Sequence, residues 1–437
     1  MAVIRPFSGI LYNKVKVGNL SKVVAPPYDV ISPEDRSWYC DRHPNNIVRL
    51  ILPEDDPSNS FPGGKYGLSA AYLQDWLREK ILVQDVEPCV YACVQEYEIR
   101  GQLKRRLGLT CLVQLEDYEN RKVLPHENIM TKPLDDRLNL MRTTRANFDS
   151  VFGLYANNLI EQILNPFLAN KPYSYAVDRD GVKVSVWRIT DAAIIADIAE
   201  SLANESIVIA DGHHRYAAAL AYRNEMRVQG EAPDPSAPFE YVMMTLVSLE
   251  DKGLVVLPTH RLVRNVLTFR SDIFCSQLAE LFDMMETPAE RLLETVESMS
   301  SMHHVFGLYM RGGKSFVIKL KPTVQPERVI ETPGSDSLKR LDVSVLHSLI
   351  LEKLLGIGTQ QLSIASNISF TRDVPGAIAS IDRGENQILF LINSTRVDEV
   401  KAVAGAGDKM PQKSTFFYPK LLTGMVMRVM PQLAASR

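Results

Sequence analysis

The chain has 437 residues, 49 Lys+Arg against 52 Asp+Glu for a formal charge of −3, 46% hydrophobic residues and 23% charged ones. These proportions exclude a mainly disordered, collagen-like or coiled-coil architecture, and at about 150 residues per domain the length predicts two or three domains with sizeable cores. The near-neutral balance disfavours nucleic acid as a partner, no run approaches the ~18 to 20 apolar residues of a membrane span, and Met1 to Pro6 lacks a signal-peptide pattern, so no membrane partner and a cytoplasmic location are expected.

Ser32 caps a short helix whose first position is Pro33. Beyond the loop Pro53 to Gly64, Leu68, Ala71, Tyr72, Leu73, Trp76 and Leu77 recur at helical spacing and predict an amphipathic helix over 66–80. Cys89 to Ile99 and Leu103 to Leu115 read as strands of a β-hairpin turning at Arg100-Gly101-Gln102. The stretch Leu124 to Asn147 is charged and becomes helix-like from Asp135 to Thr144. Ser150 to Tyr155 and Lys183 to Arg188 read as strands and Asp191 to Leu202 as a helix. The apolar run Ser206 to Ala210 reads as a buried strand, ending at Asp211-Gly212-His213-His214-Arg215 before a helical segment from Tyr216 to Arg227. A linker over 230–238 precedes a strand from Phe239 to Leu249. The remainder predicts a helical segment near 273–299, strands at 304–310 and 315–320, helices at 343–355 and 373–382, and a strand at 387–393. The five cysteines, Cys40, Cys89, Cys93, Cys111 and Cys275, form no C-x-x-C pair, which predicts reduced, mostly buried thiols.

The strand, polar turn and helix around Asp211 carry the strongest chemical signal. Gly212 allows close backbone approach, and the first turn of a helix offers unpaired N–H groups and a positive dipole end, together an anion site. His213, His214 and Arg215 concentrate donors there, and an Arg fork matches phosphate oxygens. The turn is neither a Walker loop nor a G-x-G-x-x-G motif, and adjacent histidines diverge too far for both to ligate zinc. A second cluster runs from Pro125-His126-Glu127 through Lys132 and Arg137 to Arg142. There Glu127 is a candidate base for a hydroxyl, and Lys132, Arg137 or Arg142 could neutralise phosphate oxygens. Tyr28-Asp29, His43 to Asn46, Thr259-His260-Arg261 and Gln412 to Lys420 are weaker signals.

Ala25 to Ile31, His43 to Asn46, Pro125 to Glu127, Arg145 to Phe148, Ala210 to Tyr216 and Lys413 to Lys420 together resemble the bacterial and archaeal domain of unknown function 1015 family. Its Asp-Gly-x-His-Arg element is similar to the phosphate-binding motif of the ParB and sulfiredoxin superfamily, which contains free-serine kinases. The resemblance implies an α+β fold with a central ParB/sulfiredoxin-like core over 121–250 between mixed α/β regions at 1–120 and 251–437. It also implies that Glu127, in a His-Glu pair, is a base, and that His213 occupies the place of sulfiredoxin's cysteine.

The expected activity is ATP- or ADP-dependent phosphorylation of free L-serine or a similar small hydroxyl metabolite. In that reading Asp211, His214 and Glu127 are catalytic, and Gly212, His213, Arg215, Lys132 and Arg137 hold phosphate with Mg²⁺, whose protein ligands the sequence does not identify. The rivals are a non-catalytic, nucleotide-gated regulator in the manner of ParB and a nucleotide hydrolase. The acceptor, the donor and the oligomeric state are not fixed by the sequence.

Overall fold

The computed structural model describes residues 2–54, 62–229, 234–267, 269–301, 304–358 and 367–431. Most of the expected 53–64 loop and the start of the 230–238 linker therefore lie outside the described residues. The fold is α+β, and its contacts form two units: Met1–Pro125, Ile129–Val255 and Pro419–Arg437 in the first, His126–Asn128 and Val256–Tyr418 in the second.

The first unit is built on a nine-stranded mixed sheet. Its strands are β1 (Ile4–Arg5), β2 (Val90–Ile99), β3 (Gln102–Gln114), β4 (Val123–Leu124), β5 (Val151–Tyr155), β6 (Ser174–Val177), β7 (Lys183–Ile189), β8 (Ile207–Asp211) and β9 (Tyr241–Ser248). They lie in the order β4-β8-β5-β9-β3-β2-β7-β6, with β1 beside β3. The β4/β8 and β5/β9 pairs are parallel and the others antiparallel. Every residue of β9 is buried, as its central place requires. The β2–β3 hairpin turns where expected, through Arg100 and Gly101, both at positive φ.

Helices α1 (Pro33–Arg42), α2 (Gly64–Arg78), α3 (Thr131–Thr144), α4 (Leu159–Leu168), α5 (Ala192–Leu202) and α6 (His213–Val228) belong to this unit. Ser32 and Asp35 form the capping box that starts α1. Leu138, Ile160, Leu164, Ile198, Leu202, Tyr216 and Tyr222 join the strand residues in one core. Strands from 1–120 and from 121–250 thus share a sheet and a core, and Met427 bridges to Ile10 and Thr423 to Ala25. The expected boundary at 120/121 falls inside that core, because pairing is set by long-range burial that local periodicity does not encode.

The second unit holds a six-stranded antiparallel sheet. Its strands are β10 (His260–Val263), β11 (Phe282–Glu286), β12 (Val305–Met310), β13 (Lys314–Leu320), β14 (Ile368–Thr371) and β15 (Ile388–Ile392), in the order β11-β13-β12-β15-β10-β14. The helical segment expected near 273–299 is two helices, α7 (Ser271–Leu281) and α8 (Ala289–Ser298). Phe282–Glu286 leaves the helix to pair with β13, and Pro288 starts the next one. The helix expected at 343–355 is an α-helical turn, Asp342–Val345, continued by a π-helical segment, Leu346–Glu352. All five cysteines are free thiols.

Candidate active site

Helix α6 carries the Asp211 turn at its start and is held rigidly along its length. The Tyr216 hydroxyl donates to the Glu116 carbonyl at 2.9 Å and accepts from the Glu116 amide at 2.9 Å. Two turns on, Arg223 donates to the Leu115 carbonyl (2.9 Å) and pairs with Asp117 (2.8 Å). Arg227 then forks onto the buried Glu240 carboxylate at 2.7 and 2.6 Å.

The chain passes from β8 into α6 through Gly212, whose φ of 88° is left-handed. A Cβ here would lie 2.8 Å from Arg215 Nε, so glycine is required by conformation and by space. Among the described residues no side chain caps α6. Its first-turn amides therefore have the character of an anion cradle, and the dipole end adds positive potential. His213 is buried and His214 half-buried. The Met130 amide donates to His214 Nε2 at 3.0 Å, which brings the start of α3 beside the start of α6. Lys132 is exposed in that first turn of α3.

Arg215 does not present a spare fork to phosphate. It is buried, pairs with Asp211 at 2.7 Å and Asp149 at 3.2 Å, and donates to the Ser150 carbonyl at 2.6 Å. Arg137 is likewise engaged: it donates to the Ile51 carbonyl (2.9 Å), pairs with Asp136 and stacks 3.9 Å over the Tyr28 ring. Arg137, Asp149 and Arg215 line one small cleft. Arg142, on α3, pairs with Glu225 of α6. These arginines lie in the expected region but act as clamps, because each finds a carboxylate or carbonyl that burial obliges it to satisfy.

Asp211 receives the Lys420 ammonium on Oδ1 at 2.6 Å and Arg215 on Oδ2 at 2.7 Å. Burial pushes its pKa up, but Lys420 and Arg215 outweigh burial and hold the carboxyl well below the usual range. For Asp149 the balance reverses: burial raises its pKa against the pull of Arg215 and Arg137. Burial lowers the affinity of Arg215 for its proton, but Asp149 and Asp211 more than reverse that.

With both Asp211 oxygens held by cations, the donor set at the turn does not fit a divalent ion. Among the described residues no group of three or more His, Cys, Asp or Glu side chains could hold one. The expectation of Mg²⁺ at this turn is not supported by the residues present, since Lys420 and Arg215 supply the positive charge there.

Glu127 belongs to the second unit, where its Oε1 accepts from the Lys413 amide at 3.3 Å. The preceding His126 is buried, with Nε2 3.0 Å from the Thr415 hydroxyl, and its carbonyl accepts from the Met410 amide. The first unit thus gathers Asp211, Gly212, His213, His214, Arg215, Arg137 and Lys132, while Glu127 sits in the other. Sequence reasoning missed Asp149 and the pairing of Lys420. Asp149 abuts the quoted motif Arg145 to Phe148 and Lys420 ends the motif Lys413 to Lys420, and a buried Arg215 in need of a second carboxylate was the available signal.

Residues 4–344 match the family model described as Protein of unknown function (DUF1015). The chain belongs to this family. A search of curated proteins found no match to this DUF1015 chain. Solved structures similar to it include a conserved hypothetical protein from Pyrococcus furiosus, at 15% identity over 69% of this chain and 89% of that one, with a TM-score of 0.33. A mutant free serine kinase in complex with ADP is 13% identical over 68% of this chain and 84% of that one, with a TM-score of 0.34. Truncated SbnI from Staphylococcus aureus is 11% identical over 72% and 85%, with a TM-score of 0.33. Among the described residues no helix is long and apolar enough to cross a membrane.

Proposed function

We propose that the protein is a phosphotransferase that binds ATP or ADP at the Asp211 to Arg215 turn and phosphorylates a small hydroxyl metabolite, free L-serine being the first acceptor to test. The observation that carries this reading is the start of α6: a 16-residue helix entered through a left-handed glycine, uncapped by any described side chain and flanked by His213 and His214. Such a terminus favours phosphate through its backbone amides and dipole. Asp211 does not repel the incoming anion, because Lys420 and Arg215 neutralise it.

In this proposal Arg215 is a positioning residue that fixes Asp211 and the turn, and His214 contacts the transferring group. Lys132 adds charge at the start of α3. Glu127 takes the proton from the acceptor hydroxyl as that oxygen attacks the terminal phosphorus and the bond to the departing nucleotide breaks. The engagement of Arg215 and of both Asp211 oxygens in internal pairs also supports a second reading, a nucleotide-gated regulator without turnover, since it leaves backbone binding intact while withholding an arginine from catalysis.

Nucleotide consumption by the purified chain, with ATP or ADP, with and without L-serine, separates the two. Acceptor-dependent turnover that falls in His214→Ala supports the kinase. Saturable nucleotide binding without turnover over a panel of hydroxyl compounds supports the regulator. Consumption indifferent to every acceptor indicates a hydrolase.

A further inference from the structure

The second unit contains a partly open cavity of about 430 Å³, whose described lining residues all belong to that unit. That volume lies within the range of small-molecule sites. Leu338, Ile357 and Phe370 give it apolar walls. Two further lining side chains, Ser344 and His347, are more than nine-tenths buried, and Ser344 Oγ and His347 Nε2 have no hydrogen-bond partner among the described residues. A buried polar atom left unpaired costs about 1–3 kcal/mol, so two in one cavity wall call for a partner that the described residues do not supply.

Both residues sit where the helix changes character, at Asp342–Val345 and in the π-helical segment Leu346–Glu352. The wider π turn brings residues five apart towards the same side, and His347 and Glu352 both line the cavity. Such distortions recur at functional sites. The electrostatics indicate the sign of the guest. Lys339, Lys409 and Glu352 all line the cavity, which leaves one positive charge in excess. Behind the wall lies Arg261, fully buried, donating to the carbonyls of Thr259 and Lys413 and 5.4 Å from the Phe370 ring. Among the described residues no carboxylate bridges it or neutralises its charge.

We propose that this cavity binds a small organic anion, an apolar body bearing a single carboxylate. Its charged end meets Lys339 and Lys409, and its polar contacts are made by Ser344 and His347. The lining itself carries a single excess charge, with Arg261 held on backbone carbonyls behind it, which matches a monoanion, and the apolar walls exclude a strongly hydrated ligand.

Calorimetric titration of the full chain with octanoate, and in parallel with octylammonium, tests this. Saturable one-to-one binding of octanoate is expected, with none of octylammonium. The double variant Lys339→Glu/Lys409→Glu, at positions that are not buried, should weaken octanoate at least tenfold while retaining the wild-type thermal midpoint. Ser348→Phe, which adds a ring at a lining position, should abolish binding. Absence of saturable octanoate binding, equal binding of the cation, or octanoate affinity unchanged in the well-folded lysine variant would overturn the proposal.

Discussion

Replacing Gly212 by alanine separates the two reasons for glycine at this turn. The left-handed conformation costs an L-residue about 1–2 kcal/mol, of which about 0.4–1 kcal/mol is offset by the reduced freedom of the unfolded chain. The new Cβ would also lie 2.8 Å from Arg215 Nε and 2.9 Å from its Cζ and Nη2. Arg215 cannot move away without loosening its bonds to Asp211, Asp149 and the Ser150 carbonyl, so the clash should cost a further ~1–3 kcal/mol as local overpacking. Gly181, in the same unit, has φ +82° and nothing within 4 Å of its virtual Cβ, so Gly181→Ala measures the backbone cost alone. Urea unfolding followed by a first-unit probe should place Gly212→Ala below Gly181→Ala by about 1–3 kcal/mol, or roughly 2–10 °C in thermal midpoint for a unit of this size. Equal losses in the two variants would refute the claim that Arg215 is locked against the turn.

The second unit should lose stability in mild acid. Burial and then Arg261 lower His260 to about 4 and His347 to about 3, whereas an unfolded histidine takes up its proton below about 6.5. Their contribution is complete above that value and is lost as pH falls from it through the folded values, so thermal midpoints should decline over that window and His347→Leu should flatten the decline. Arg227→Met leaves the Glu240 carboxylate buried without its fork and should cost about 2–4 kcal/mol by chemical denaturation; a loss under about 1 kcal/mol would show that the pair does not hold α6. Glu127→Gln should lower serine-dependent turnover by about 10² to 10⁴-fold with nucleotide affinity unchanged, and full turnover in that variant would remove Glu127 from the base role.

What the sequence made legible was local. The β2–β3 hairpin, the Ser32 cap and the strand ending at Asp211 followed from alternation, capping chemistry and an apolar run cut short, all of which act within a few residues. The strand Phe282–Glu286 was hidden because its residues continue a helical pattern and become a strand only by pairing with β13. The candidate site divides in the same way. The Asp211 turn announced itself by packing five polar or glycine residues after a buried strand, yet the use of its arginine did not. Whether Arg215 meets a phosphate or Asp149 is decided by burial and by a partner 66 positions away, which no local window contains. The cavity in the second unit left no motif at all, since Ser344 and His347 are ordinary helix residues until the fold leaves their polar atoms without partners among the described residues.

Lys420 reaches Asp211 across 209 residues of chain. On a ribosome adding about 5–20 residues per second, roughly 10–40 s separate the emergence of the two. Throughout that interval the nascent Asp211 has Arg215 but not its ammonium partner, and Ile10 and Ala25 lack the bridges that Met427 and Thr423 later provide. The turn can therefore reach its finished charge state only near the end of synthesis, so the proposed anion site is completed late even though the strand and helix that frame it are made early.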